Sequence, residues 1–126
     1  MEFSKNINEL EYIQNLISEI TLAFPNYNVY AERKYGKFRP DITIENIYGN
    51  IIIEIKNSRN YSSLPFSTII QLEDYKLHIP NSEIILISLS DVNELMKEKL
   101  KEMEIKTFIK PDFKSIIKYL KEKNIS

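Results

Sequence analysis

The chain has no cysteine and no tryptophan, one histidine and only two glycines in 126 residues. Without cysteine there is neither a disulfide framework nor a thiolate zinc site. With His78 as the sole histidine, a histidine-rich metal site is excluded. A Ser-His-Asp triad would have to use that one residue, which lies just before Pro80 in what reads as a surface loop. No apolar run approaches the ~20 residues needed to cross a bilayer. Met1-Glu2-Phe3-Ser4-Lys5-Asn6 lacks the apolar core of a signal peptide, so a cytoplasmic location and no membrane partner are expected. An excess of one charge is missing too: 17 Lys and Arg stand against 18 Asp and Glu, a net charge of −1. Proteins that coat duplexes are usually strongly basic. What is present is a globular composition, 43% hydrophobic and 28% charged, at a length that supports one core. A single domain over residues 1–126 is expected.

Apolar spacing organises that domain. Ile7, Leu10, Ile13, Ile17, Ile20 and Phe24 recur at helical intervals, predicting an amphipathic helix from about 6 to 24 that Pro25-Asn26 ends. Val29-Tyr30-Ala31 reads as a short strand. Residues 40–45 and 50–57, around the turn signal Tyr48-Gly49-Asn50, read as an antiparallel hairpin. The polar segment from Asn57 to Pro65 reads as a loop, and Ile69, Ile70, Leu72, Tyr75 and Leu77 predict a helix over 68–78. Glu83 to Leu89, apolar between turn residues, reads as a buried strand. Ser90-Asp91, with Glu94 as capping-box partner, predicts a helix to about Met103. Ile105 to Ile109 reads as a last strand, and Pro111-Asp112 opens a terminal helix to about Lys123. The order αβββαβαβα predicts an α/β fold, a mixed central sheet flanked by helices.

The chemistry concentrates on the hairpin. Arg39-Pro40-Asp41-Ile42 opens its first strand, and Glu54-Ile55-Lys56 follows the apolar run Ile51-Ile52-Ile53 in its second. Strand side chains alternate between faces. Asp41, Thr43 and Glu45 therefore lie opposite Ile42 and Ile44, while Ile52, Glu54 and Lys56 lie opposite Ile51, Ile53 and Ile55. Any register that buries the isoleucines together also brings Asp41, Glu54 and Lys56 together, because a one-residue slip flips every side chain. Paired carboxylates suit a hard, oxygen-preferring cation. Such a cation neutralises charge on a phosphate and activates a bound water, and an adjacent lysine orients or deprotonates that water. This is the equipment for Mg²⁺-dependent phosphodiester hydrolysis, with Mn²⁺ as a substitute. Without the cation the two acids repel, so replacing either by its amide is expected to raise stability.

The bare strings are common in a chain of this composition. A second Glu104-Ile105-Lys106 and a second Pro111-Asp112 occur in the reverse order with no hairpin joining them, and they serve as an internal control. The competing reading of the first set is the solvated polar face of an ordinary hairpin.

Four further features bear on the site. Arg33, Lys34, Lys37 and Arg39 cluster against a single Glu32 just ahead of Asp41. There they could hold a phosphate backbone or simply solubilise a loop. Arg59 and Tyr75 are additional candidates for contact with nucleic acid. On a helical wheel Glu9 lies at the edge of the first helix's apolar stripe, as an extra ligand or an ordinary first-turn acid, while Glu11 and Glu19 point away. Gln71 and Tyr75 stand at i and i+4 on one helix face, where an amide and a phenol could bond a phosphate or brace Lys56. Tyr75 could equally be a core aromatic.

Together these residues resemble the PD-(D/E)xK nuclease superfamily, whose signature reads here as Pro40-Asp41 and Glu54-Ile55-Lys56. The resemblance covers roughly residues 9 to 90. It implies a restriction-endonuclease-like αβββαβ core, here with a C-terminal βα extension. It also implies that Asp41 and Glu54 bind Mg²⁺ with the Ile55 carbonyl while Lys56 serves the attacking water. Glu9 matches the first-helix acid of several branches, and Gln71 with Tyr75 matches the Gln-x-x-x-Tyr motif of the RecB-type branch. The opening helix and the stretch from Glu54 to Arg59 also resemble archaeal Holliday-junction resolvases. Those proteins are more basic and carry a serine before the Asp, where this chain has Arg33-Lys34-Tyr35-Gly36-Lys37.

The implied activity is a DNA endonuclease. The alternatives are a catalytically silent nuclease-fold module that binds nucleic acid or protein, and a small interaction domain with an accidental motif. Cutting two strands favours a two-fold arrangement, so a homodimer is expected. Phe108, Phe113, Ile116, Ile117 and Tyr119 are its candidate interface, as more apolar surface than a small core absorbs.

Overall fold

The computed structural model describes residues 7–47, 49–58 and 64–123. Among them four helices and five strands follow in the order α1 (Ile7–Ala23), β1 (Asn28–Ala31), β2 (Ile42–Asn46), β3 (Gly49–Lys56), α2 (Ser67–His78), β4 (Ser82–Ser88), α3 (Glu94–Glu102), β5 (Lys106–Ile109) and α4 (Phe113–Glu122). The strands form one sheet in the order β1-β2-β3-β4-β5. β1, β2 and β3 pair antiparallel, and β3, β4 and β5 pair parallel. The expected αβββαβ core is present, and the C-terminal βα extension, β5 and α4, follows it through the further helix α3.

The hairpin takes the register that buries its isoleucines together. Ile42 faces Ile53 and Ile44 faces Ile51, and these four pack with Ile55, Ile85 and Ile87 under α1 and α4. The opposite face is covered as well: Ile52, Ile84 and Leu86 pack against Ile69 and Leu72 of α2 and Met96 and Leu100 of α3. The face that carries the acids is therefore roofed by helices, and the solvated hairpin face is excluded. Gly49 adopts φ +148 in the turn, and a Cβ there would stand 2.5 Å from the Asn81 carbonyl oxygen.

Three local expectations are corrected. The inward stripe of α1 runs through Glu9, Ile13, Leu16 and Ile20, all buried, while Leu10 is 46% exposed. The helix is rotated so that Glu9 lies within the stripe rather than at its edge. Helix α3 starts at Glu94 with Asn93 as its cap, the Asn93 side chain accepting the Met96 N–H at 2.8 Å. Asp91 instead pairs with Lys110 at 2.8 Å. Finally, the C-terminal apolar residues are not surplus. Ile116 is fully buried, and Phe108, Phe113, Ile117 and Tyr119 pack against the same core, which removes the reason for placing a dimer interface there.

Candidate active site

The site forms where the β2–β3 ladder runs out. Its last pair is Ile42 with Ile53, so the Ile55 N–H lies beyond any carbonyl of β2 and donates instead to Asp41 Oδ2 at 2.7 Å. The Asp41 N–H in turn donates to Glu54 Oε1 at 3.3 Å. Both side chains are buried, Asp41 at 5% and Glu54 at 2% exposure. Lys56, on the same face two residues along β3, places Nζ 3.1 Å from Glu54 Oε2. Asp41 and Glu54 thus converge from 13 residues apart in sequence, with Lys56 beside Glu54.

Helix α2 completes the setting of Glu54. The Tyr75 hydroxyl donates to Glu54 Oε1 at 3.3 Å and accepts from Gln71 Nε2 at 3.1 Å. The helical pair meets as its spacing predicts, but it braces the acid rather than Lys56 or a phosphate. Tyr75 is 3% exposed, so the structure places it in the core and not on a nucleic-acid surface. Burial first, then the Glu54 and Asp41 carboxylates, push its phenol pKa upward, so it remains a hydrogen-bond donor at neutral pH.

Glu9 is buried in the first turn of α1. That helix covers the isoleucine face of the sheet, whereas alternation sends Asp41 and Glu54 to the face under α2. Among the described residues no three His, Cys, Asp or Glu side chains form a metal-holding group. Glu11 and Glu19 face outward, as their wheel positions predict.

The basic segment divides. Arg33 Nη1 lies 3.2 Å from Glu45 Oε2, and its guanidinium sits 4.2 Å from the centroid of the Tyr30 ring, so it is committed to the sheet edge. Lys34, Lys37 and Arg39 are exposed. Arg59 lies outside the described residues. His78 ends α2 rather than sitting in a loop, and it is exposed as expected.

Sequence reasoning missed two supports. The Leu89 N–H donates to the Lys56 carbonyl at 2.8 Å. Ser90 Oγ accepts the Ser58 N–H at 2.7 Å and donates to Asn57 Oδ1 at 2.9 Å. These bonds fix the backbone that follows Lys56. Ser90 was legible only as a helix-capping residue, because its partners are about thirty residues away. The second is Phe38, whose ring packs on Tyr75 and which no motif marks. Two open grooves, of ≈680 Å³ beside α4 and ≈960 Å³ beside the β2–β3 turn, are lined by none of the acid-site residues.

No protein-family model and no curated protein matches the chain. Solved structures do. It is similar to the crystal structure of protein VC1899 from Vibrio cholerae at 14% identity and a TM-score of 0.65, with 87% of this chain and 31% of that one covered. It is similar to a repair endonuclease from Pyrococcus abyssi at 17% identity and a TM-score of 0.55, covering 86% of this chain and 48% of that one. It is also similar to EndoMS in a complex with double-stranded DNA, at 14% identity and a TM-score of 0.58, covering 89% of this chain and 48% of that one. The chain therefore spans about a third to a half of the length of these structures. At such identities the likeness is one of fold. The five-stranded mixed sheet with helices on both faces is the fold the chain shares with these structures, the repair endonuclease among them.

Proposed function

We propose that the chain is a metal-dependent nuclease that hydrolyses DNA phosphodiester bonds internally. The observation that carries this reading is the meeting of the buried Asp41 and Glu54 carboxylates with Lys56 at their edge. Burying two carboxylates is expensive unless something compensates them, and a scaffold element has no use for acids that repel a phosphate.

The donor set suits a hard divalent cation. Magnesium is held by one or two carboxylates and keeps the rest of its shell for water and substrate phosphate, so a third acid is not required. Asp41, Glu54 and the Ile55 carbonyl would hold Mg²⁺, or Mn²⁺ in its place, and the ion would neutralise charge on the phosphate and acidify a bound water. Lys56, steadied by Glu54, presents N–H donors to the attacking water and the scissile phosphate. Tyr75 and Gln71 keep Glu54 in place while charge shifts around it. Lys34, Lys37 and Arg39 sit on the segment that leads into Asp41 and contact the phosphate backbone. In the reaction the water oxygen bonds to phosphorus, the bond to the leaving oxygen breaks, and the water's proton passes to solvent or to that oxygen.

The test uses linear, circular, nicked and four-way DNA, with an RNA arm, in Mg²⁺, Mn²⁺, Ca²⁺ or EDTA. Cleavage is expected in Mg²⁺ and Mn²⁺ alone. Asp41→Ala, Glu54→Ala and Lys56→Ala should each lose at least about a hundredfold in rate, and Glu104→Ala should lose nothing. Cleavage that persists in EDTA, or a Lys56→Ala protein as fast as wild type, overturns the assignment. DNA binding indifferent to metal and without cleavage would show a silent binding module instead.

A further inference from the structure

Phe38 has no polar side-chain atom, yet its ring joins the two halves of the site. It sits edge-to-face against Tyr75, with centroids 5.9 Å apart and planes at 88°. It stacks on His78 at 5.1 Å and 28°. Tyr75 is the residue whose hydroxyl holds Glu54. In its own segment, Phe38 closes a tight turn with Tyr35: the two backbones exchange N–H···O bonds of 2.8 and 2.9 Å. Gly36, at φ +59, and Lys37 form the tip, with Lys37 Nζ 5.5 Å from the Phe38 ring centroid. Both Tyr35 and Phe38 pack against the cluster that contains Leu72, Tyr75 and Ile79. The exposed cations Lys34, Lys37 and Arg39 therefore ride on a turn that is anchored to α2.

We propose that Phe38 is a positioning residue for hydrolysis at Asp41 and Glu54. Its ring holds the Tyr75 hydroxyl on Glu54 and, through the same contact, holds the turn that presents Lys34, Lys37 and Arg39 to the phosphate backbone. This rests on the function proposed above. A phenol aims its hydroxyl only along the ring axis, so the seat of the Tyr75 ring decides where the hydroxyl points. An edge-to-face neighbour restricts the tilt of that ring. A misplacement of about 1 Å at a reacting centre is felt as a rate loss on the order of a hundredfold. Cations on a pinned turn also bind without the ordering cost that a mobile loop would bear.

Phe38→Leu keeps apolar volume and removes the aromatic edge and face. It should lower kcat by about tenfold, a fraction of the loss for a full 1 Å error, and should raise KM as well. Lys37→Ala should raise KM and leave kcat alone, and Phe38→Tyr, which keeps the ring, should restore both. Two readouts do not depend on turnover. Ca²⁺ affinity by calorimetry should fall in Phe38→Leu. Because His78 is the only histidine, its ring-proton resonances are identified without ambiguity, and their ring-current shift should vanish in Phe38→Leu and persist in Phe38→Tyr. A folded Phe38→Leu protein with wild-type kcat, KM and Ca²⁺ affinity overturns the proposal, even if its melting temperature falls. A wild-type protein that neither binds Ca²⁺ nor cleaves overturns the proposed function, and this inference with it. Equal cleavage by wild type and Phe38→Leu removes this inference alone.

Discussion

Asp41→Asn and Glu54→Gln should shift the metal-free melting temperature in opposite directions. Treated as two acids on one strand face, they are equivalent, and neutralising either relieves the same repulsion. Their hydrogen bonds separate them. Asp41 Oδ2 accepts the Ile55 N–H at 2.7 Å, and the side-chain oxygen of asparagine can accept the same bond. What Asp41→Asn removes is a negative charge beside Glu54. Two unit charges about 6 Å apart repel by about 3 kcal/mol at an effective dielectric near 20. The Lys56 ammonium next to Glu54 offsets more than half of that. The remaining gain is about 1 kcal/mol, or about 4 °C for a domain of this size.

Glu54 has more to lose. Its Oε1 accepts from the Asp41 N–H and the Tyr75 hydroxyl, and its Oε2 pairs with Lys56. A glutamine satisfies the first two donors with its carbonyl only by turning its NH₂ towards the ammonium. The pair at 3.1 Å is worth about 5 kcal/mol gross at the same dielectric. Lys56 is 24% exposed and can swing into water, so the net loss is about 2 kcal/mol and the fall about 8 °C. Melting curves in EDTA measure both variants. The Mg²⁺-dependent rise expected of the wild type should shrink in each, because each has lost a ligand charge. Shifts of the same sign for the two amides would refute the reasoning, since only a symmetric site could produce them.

Tyr75→Phe removes the hydroxyl that links Gln71 to Glu54, and should cost about 1 kcal/mol in urea melts with an unchanged slope. Gly49→Ala should cost about 2–3 kcal/mol, because the residue sits at φ +148 and its new Cβ would press on the Asn81 carbonyl; a wild-type melting temperature would disprove that turn. Tyr12, Tyr75 and Tyr119 are all raised above 10.0, chiefly by burial, and Tyr12 is pushed up to about 12. A folded pKa above the unfolded one gives stability that is complete below pH 10 and is lost as pH rises through the folded value. Melts should therefore weaken from about pH 10 upward, and absorbance at about 295 nm should show these three phenols ionising above the ordinary tyrosine range.

How far the sequence disclosed this arrangement depended on whether partners lie within one element. Alternation settled which residues of the hairpin share a face, because a one-residue register slip would have turned Ile42 and Ile44 away from Ile51 and Ile53. The i, i+4 spacing placed Gln71 and Tyr75 side by side for the same reason. The wheel misjudged α1 because its apolar residues span a wide arc. Leu16, fully buried, turned the inward stripe away from Leu10 and brought Glu9 inside. At the start of α3 the sequence points to Asp91 as the cap, whereas Asn93 holds that position. The choice fell to a partner on the far side of β5, since Lys110 takes Asp91 and leaves Asn93 to cap.

The roof over the acids was the largest matter hidden from sequence, and it follows from strand order. β3, β4 and β5 lie side by side and parallel, with α2 and α3 as their crossovers. Parallel crossovers are right-handed in nearly all cases. Two such crossovers that advance in one direction across the sheet put both helices on one face. That face is the one to which Ile52, Glu54 and Lys56 point, so Glu54 comes to lie beneath Tyr75, 21 residues away. The unbroken apolar runs Ile51–Ile53 and Ile84–Ile87 were the trace of two-sided burial left in the sequence. They show that both faces are covered but not by which helix. Only the order of the strands assigns α2 to the acids, and with it the hydroxyl that keeps Glu54 in place.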